Sequence, residues 1–400
     1  MKRKKYDGYT SFQYLEAGVD YREFTLAKQI GRVPSRRVEV SDEQERRVQR
    51  LLEDTLVVSL HDHVHVAPAD LREIDEYRRQ GREWTGYEGL SVSGLDAVFD
   101  AFMGGTATIT SRAGWKWDDI ILDIGMRLSD IAHQDMLVRA ETIADIQAAK
   151  HSGRIAFIPS LEAATAIENE IDRLDVLYGF GVRCAGIVYS ESNMLGSGLR
   201  ERGDGGLTDL GRQAVRRMNR LGMAVDLSHA SDQTCLDIIA VSERPVFITH
   251  AGARALWNTR RMKPDSVLRA CAERGGIVGI SAAANTTITY SERRHTLESV
   301  MEHFVYCAEL VGIDNVAFGP DIFFGDHVGM HNVFAKQFSV AAARGGLEFD
   351  EIEYVDGIEN PSESFPNIVR WLVTHGYSDT QINKVIGGNV MRVLAGVWSR

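Results

Sequence analysis

From about residue 55 onward, short apolar runs rich in β-branched residues alternate with longer stretches whose apolar positions recur at helical spacing. The runs are Leu56–Leu60, Thr106–Thr110, Arg154–Pro159, Val182–Val188, Met223–Leu227, Val246–Thr249, Gly276–Ser281 and Asn315–Phe318. Amphipathic stretches lie between most of them, such as Asp209–Leu221, Asp232–Ala240, Ser266–Arg274 and Thr296–Val311. Eight strand-then-helix units predict an α/β fold closed into a parallel (β/α)8 TIM barrel. An open doubly wound sheet would favour a glycine-rich phosphate turn after its first strand, and His61-Asp62-His63 stands there instead.

The chain before the first run reads differently. Residues 1–50 are polar and little patterned until Ser41, which caps a helix running toward Leu52. This predicts an N-terminal extension, residues 1–50, packed on a single-domain barrel of residues 51–400, where it wraps the barrel or covers a mouth or a partner subunit. Long inserts follow the first run (66–95) and the last (about 322–362). On the catalytic face such loops form the substrate pocket or a lid.

Composition narrows the class of partner. The 400 residues are 44% hydrophobic, enough for a large core, and the net charge of −11 disfavours nucleic acid and anionic membrane. Met1-Lys2-Arg3-Lys4-Lys5 is basic, but no apolar run follows it, so it does not read as a signal peptide. No apolar segment reaches the roughly 20 residues needed to span a bilayer. Cys184, Cys235, Cys271 and Cys307 lie far apart, without a CxxC pair, and read as reduced thiols. A cytoplasmic enzyme with a small-molecule substrate is expected, as a monomer or homodimer.

Catalytic groups of such a barrel sit where its strands end. The first run ends in His61-Asp62-His63, the third in Glu162, the fourth in Tyr189, the fifth in His229, the sixth in His250 and the eighth in Asp321. A lone histidine after a strand is usually a hydrogen-bonded structural residue, and His133, His151, His295, His303 and His375 are read that way. Several such ends meeting on one rim point to metal, and imidazole with carboxylate suits Zn, Fe, Mn or Co. His61 and His63 share one side of an extended strand end and can share an ion. Glu162 has two oxygens and can bridge two ions, and His229 and His250 can hold the second. His65 continues the alternation and is left open as a ligand, an outer hydrogen-bond donor or a loop residue.

These residues stand in motifs that resemble the membrane (renal) dipeptidase family of the amidohydrolase superfamily. The motifs are SLHDH, PSLEAA, LYGFGVR, GLTDLGRQAVRRMNRLGMAVDLSHAS, VFITHAGARAL, NTRRMKPDSVL, VGIDNVAFGPD, FPNIVRWLV and IGGNVMRVL, which together cover roughly residues 55–395. The resemblance implies an amidohydrolase-like barrel with His61, Glu162, His229 and His250 as metal ligands. It implies Arg261 as a grip on a substrate carboxylate and Asp321 as base or ligand beside the metals. Three positions depart from the family pattern: His63 stands for an Asp, Tyr189 for a histidine that contacts the scissile carbonyl, and Ser281-Ala282-Ala283-Ala284 for a tyrosine or polar residues.

The departures and the resemblance itself point to two different functions. The first is oxygen chemistry: HDH, the YDGYTSFQYLEAGVDY opening and GTATITSRAGWKWDD resemble a branch of dinuclear non-haem iron oxygenases built on this barrel. That reading implies two iron ions, O2, an external reductant and a small carboxylate-bearing, possibly aromatic substrate. Tyr189, Trp115 and Trp117 would line its pocket. The second is hydrolysis by a dinuclear zinc dipeptidase or amidase, with manganese as another choice of metal. There Asp321 handles the proton and Tyr189 donates a hydrogen bond to the substrate.

Overall fold

The computed structural model describes residues 4–103, 116–330, 332 and 352–398. Its main sheet holds eight parallel strands in chain order: β1 (Val58–Asp62), β2 (Ala97–Phe102), β3 (Ile155–Leu161), β4 (Cys184–Gly186), β5 (Ala224–Asp226), β6 (Phe247–Ala251), β7 (Ile277–Ile280) and β8 (Val316–Phe318). The ring closes just above the last strand. Asp321 N donates to His61 O at 2.8 Å and His63 N donates to Ile322 O at 2.9 Å. With helices between the strands, this is the expected (β/α)8 barrel.

One expected strand is replaced. The second barrel strand is Ala97–Phe102, whereas the Thr106–Thr110 run lies outside the described residues. Asp100 interrupts the apolar pattern of β2, and only its tertiary partners make its burial tolerable. A short extra strand, Leu137–Arg139, pairs with β3 off the main path. The helices expected at Asp209–Leu221, Asp232–Ala240, Ser266–Arg274 and Thr296–Val311 appear at Asp209–Leu221, Asp232–Val241, Asp265–Glu273 and Leu297–Val311. Ser41 caps the helix Asp42–Asp54 through a capping box with Gln44, as its spacing predicts.

The barrel's two ends differ in chemistry. Val58, Phe99, Ile158, Cys184, Ala224, Phe247, Ile277 and Ala317 form one buried apolar cluster drawn from every strand. Trp398, after the last helix Asn389–Val397, packs 6.3 Å from the Phe99 ring. Toward the strand ends this apolar fill gives way to polar side chains, and glycines make room for them. A Cβ on Gly186 would lie 2.2 Å from Glu162 O, and one on Gly319 would lie 2.1 Å from Thr249 O.

Residues 25–36 bond to the inserts that follow β1 and β8. Ala27 N donates to Ala67 O and Ala69 N to Thr25 O, while Gly89 N donates to the Gln29 side chain. Further along, Asn360 Nδ2 donates to Val33 O, Asn367 Nδ2 to Arg36 O, and Arg32 pairs with Glu359. All four cysteines are buried free thiols.

Candidate metal centre

β1, β6 and the turns after β3, β5 and β8 deliver five ligand-type side chains to one point at the barrel mouth, and His63 arrives from the extension of β1. Glu162 is central. Its Oε2 lies 3.0 Å from His61 Nε2 and 3.6 Å from His63 Nε2. Its Oε1 lies 2.7 Å from His229 Nε2 and 3.2 Å from His250 Nε2. Each carboxylate oxygen therefore faces its own histidine pair. Asp321 closes the other side: Oδ1 is 3.1 Å from His63 Nε2 and 3.6 Å from His61 Nε2, and Oδ2 is 3.7 Å from His250 Nε2. Asp321 holds a left-handed backbone (φ 63°), an unusual cost for a non-glycine residue that is tolerated at functional sites.

The arrangement fits metal better than hydrogen bonding. His61 Nε2, Glu162 Oε2 and His229 Nδ1 are buried with no hydrogen-bond partner among the described residues. His229 Nε2 and His250 Nε2 approach to 3.1 Å. Two such nitrogens gain little from each other, but both can bind an ion at the roughly 2.1 Å usual for imidazole. Three overlapping sets have all their ligand atoms within 4.8 Å of one another: His61, His63 and Glu162; His61, His250 and Asp321; Glu162, His229 and His250. Six ligand-type side chains thus stand in two halves about one carboxylate, an arrangement that could hold two ions.

The surroundings set ring orientation and charge. His63 Nδ1 lies 2.8 Å from Ala101 O, so it is the protonated nitrogen and Nε2 keeps its lone pair for the site. Asp226 accepts from the Thr249 hydroxyl at 2.8 Å, which leaves that oxygen to accept from His250 Nδ1, also at 2.8 Å. Ser228 donates to the same carboxylate and accepts from His250 N. Such outer partners fix tautomer and aim. Burial works against charge throughout, yet the nearby histidines outweigh it and hold Glu162 and Asp321 below the usual carboxylate range. Burial, reinforced by Arg261, brings His229 down to about 4 and, with His61 as well, His250 down to about 3. Both rings are therefore neutral near pH 7, as metal ligation requires.

The remaining expected residues divide. Tyr189 stacks on His229 with ring centroids 4.2 Å apart, and burial, with Glu162 and Asp321 nearby, pushes its phenol well up, so it stays a donor. Arg261 uses Nη1 on His250 O (2.9 Å) and Ser228 O (3.3 Å), while buried Nη2 has no hydrogen bond and lies 3.8 Å from Asp321 Oδ2. His65 is outside the ligand sets, with its ring 5.9 Å from that of His63 and its Nδ1 4.0 Å from Glu83. Trp117 is half-buried at a helix start, with Arg173 4.9 Å over its ring. Trp115 lies outside the described residues. From the second insert, Phe323 stacks on His63 at 4.4 Å. His303 makes local bonds, accepting from Ala253 N and facing Ile288 O. Sequence reading missed Asp226, Ser228 and Thr249; a charged or hydroxyl residue inside an apolar strand run was the available signal.

A model of the family described as Membrane dipeptidase (Peptidase family M19) matches residues 46–335 and 345–398. The chain belongs to the membrane dipeptidase family. Among similar proteins, Dipeptidase verJ of Clonostachys rogersoniana is 28% identical over 344 residues, 84% of this chain and 77% of that protein. Dipeptidase aclJ of Aspergillus oryzae is 31% identical over 66% of this chain. The match spans only 57% of the Aspergillus protein, and 59% of Dipeptidase tcpJ of Claviceps purpurea. Among solved structures, an amidohydrolase from Pseudomonas aeruginosa superposes with a TM-score of 0.71 at 27% identity, covering 88% of this chain and 99% of that one. A metallo peptidase from Rhodobacter sphaeroides, liganded with a phosphinate mimic of the dipeptide L-Ala-D-Ala, superposes with a TM-score of 0.67 at 21% identity, covering 86% of this chain and 100% of that one. Among the described residues no helix is long and apolar enough to cross a membrane.

Proposed function

We propose that this protein is a dinuclear metallohydrolase that cleaves the amide bond of a small, dipeptide-like substrate carrying a carboxylate. One observation carries the reading: the two oxygens of Glu162 face two separate histidine pairs, with Asp321 opposite. Membership of the membrane dipeptidase family supports hydrolysis over oxygen chemistry. His61 and His63 would hold one ion and His229 and His250 the other, with Glu162 between the two pairs and Asp321 opposite it. The ions supply Lewis acidity toward the carbonyl and lower the pKa of water.

The chain's own groups do the rest. Asp321, kept ionised, accepts the proton of the attacking water and returns it to the departing amine. Tyr189, kept protonated, donates to the carbonyl oxygen as charge builds there. Arg261 offers its unused Nη2 to the substrate carboxylate. The test is a panel of dipeptides and their C-terminal amides, assayed with protein loaded with zinc, manganese or iron. Turnover of free acids at ordinary enzyme rates, with Arg261→Ala raising KM more than it lowers kcat, is the expected result. No cleavage of any amide under any metal overturns the reading.

Oxygen insertion into a carboxylate-bearing, possibly aromatic substrate is the second reading, favoured by His63. It makes the ligand set four imidazoles with two carboxylates, a balance suited to redox-active iron. It requires O2 and an external reductant. ¹⁸O from labelled O2 in a hydroxylated product, obtained from the iron-loaded protein with a reductant, would put this reading in place of hydrolysis.

A further inference from the structure

The end of β1 is not held by an ordinary ladder. Val58 pairs opposite Ala97 and Ser59 opposite Val98, and the pairing resumes at Asp62 opposite Asp100. Over that interval β1 carries one residue more than β2, a bulge of the kind that re-aims side chains at a barrel rim. Beyond it, β2 holds the chain by other means. Ala101 O takes His63 Nδ1 at 2.8 Å, and the Asp100 carboxylate accepts from Val64 N at 2.9 Å. Asp100 is thus a side chain doing what a strand carbonyl would do, on the residue next to His63.

A buried carboxylate is costly unless its charge is met. Asp100 is 2% exposed, and Arg127, also buried, reaches it from the helix Trp117–Ile131 with Nη1 at 3.4 Å from Oδ2. Arg127 is itself anchored toward Glu83 (4.0 Å), which lies 3.3 Å from Arg78. Neither Asp100 nor Arg127 belongs to a set of metal-ligand side chains. In the other histidine pair, His250 has support of its own, through Asp226, Thr249 and Ser228 on β5, β6 and the turn after β5.

We propose that Asp100, charge-matched by Arg127, is a positioning residue that aims His63 and so governs the ion on the Oε2 side of Glu162, leaving the ion on the Oε1 side to its own support. The inference rests on the two-ion reading given above. It also assigns a purpose to the one charged residue inside β2, which packing alone would replace with an apolar side chain.

The test counts ions. Full-length protein is loaded with Co(II), titrated with a chelator, and followed by elemental mass spectrometry and the visible spectrum. Wild type should hold two ions. Asp100→Ala should keep one and bind the other about 10–100-fold more weakly, with loss of one class of cobalt band. Asp100→Asn, which keeps an acceptor for Val64 N and drops the charge, should fall between. Asp130→Asn is the control for a purely structural loss: Asp130 is fully buried and accepts from Phe12 N and Tyr87, both at 2.9 Å, so it should lose stability and keep both ions. Fewer than two ions in wild type sinks the two-ion reading. Two ions in wild type, with Asp100→Ala either unchanged or losing both together, overturns the positioning role alone. Should Asp100→Ala fail to fold, Asp100→Asn and Arg127→Lys decide by the same count, and unchanged affinities in both overturn it.

Discussion

At the scale of single residues, the histidine rings are only as good as the groups behind them. Thr249 links Asp226 to His250 with two 2.8 Å contacts and stands 3.4 Å from His61 Nδ1. Thr249→Val keeps the shape and removes the relay. Metal affinity should fall about 10–100-fold and stability by about 1–3 kcal/mol, the cost of an unpaired buried polar group. A chelator titration beside a thermal melt measures both, and unchanged affinity would deny the relay any part in holding His250. His303 gives a pH dependence. Burial holds it down to about 4, even though the Ile288 carbonyl works the other way, and its Nδ1 must stay unprotonated to accept from Ala253 N. Because the folded value lies below the roughly 6.5 of the unfolded chain, its contribution is complete above pH 6.5. It is lost as pH falls toward 4, by up to about 3 kcal/mol. His303→Gln should flatten that window of the stability–pH curve; an identical slope in wild type and variant would show that other groups govern it.

Elements meet at this mouth with little spare room, so backbone approach matters as much as side-chain chemistry. Gly319, just past β8, lies where a Cβ would be 2.1 Å from Thr249 O and 3.2 Å from His61 Cβ. Its own N–H is tied to Ile280 O at 3.1 Å, so the strand cannot shift to relieve the clash. Gly319→Ala should cost about 1–3 kcal/mol or more and displace His61, lowering metal content with it. Gly125, inside the helix Trp117–Ile131, has open space around its missing Cβ. Gly125→Ala should instead raise stability by up to about 1 kcal/mol. Paired denaturant melts and metal counts separate the two. Equal effects would mean that glycine is not what lets the strand ends come together.

Across the whole molecule, the N-terminal extension works as a strap. Between Thr25 and Arg36 it bonds to Ala67, Ala69 and Gly89 of the insert after β1, and to Glu359, Asn360 and Asn367 beyond β8. Those segments flank the site: the insert after β1 follows directly on His63, and the residues after β8 follow Asp321. Removing residues 1–40 should leave the ligand set intact while loosening the inserts. The expected outcome is an unchanged count of two ions, faster proteolysis within 66–89 and 352–363, and a raised KM. Proteolysis at the wild-type rate would show that the inserts hold themselves.

The chain's own pattern was enough for the barrel and for most of its mouth. Alternation of strand and helix needs only local periodicity, and a strand end exposes whichever polar residue follows it, so His61, Glu162, His229, His250 and Asp321 were legible as a group. The position of β2 was not. Asp100 breaks the apolar run of Ala97–Phe102, and a charge inside a strand reads as a loop until Arg127, many residues away, is seen to meet it. The same holds for Asp226 and Thr249, whose polarity acquires meaning only when His250 lies against them. His65 had the alternation of a ligand, yet it pairs with Thr85 in a two-residue antiparallel ladder and lies outside the ligand sets. Local sequence determines which groups arrive at the rim, because periodicity is a property of neighbours. Which of them share an ion, and which carboxylates merely hold others in place, is decided by distances between segments that only the closed barrel brings together.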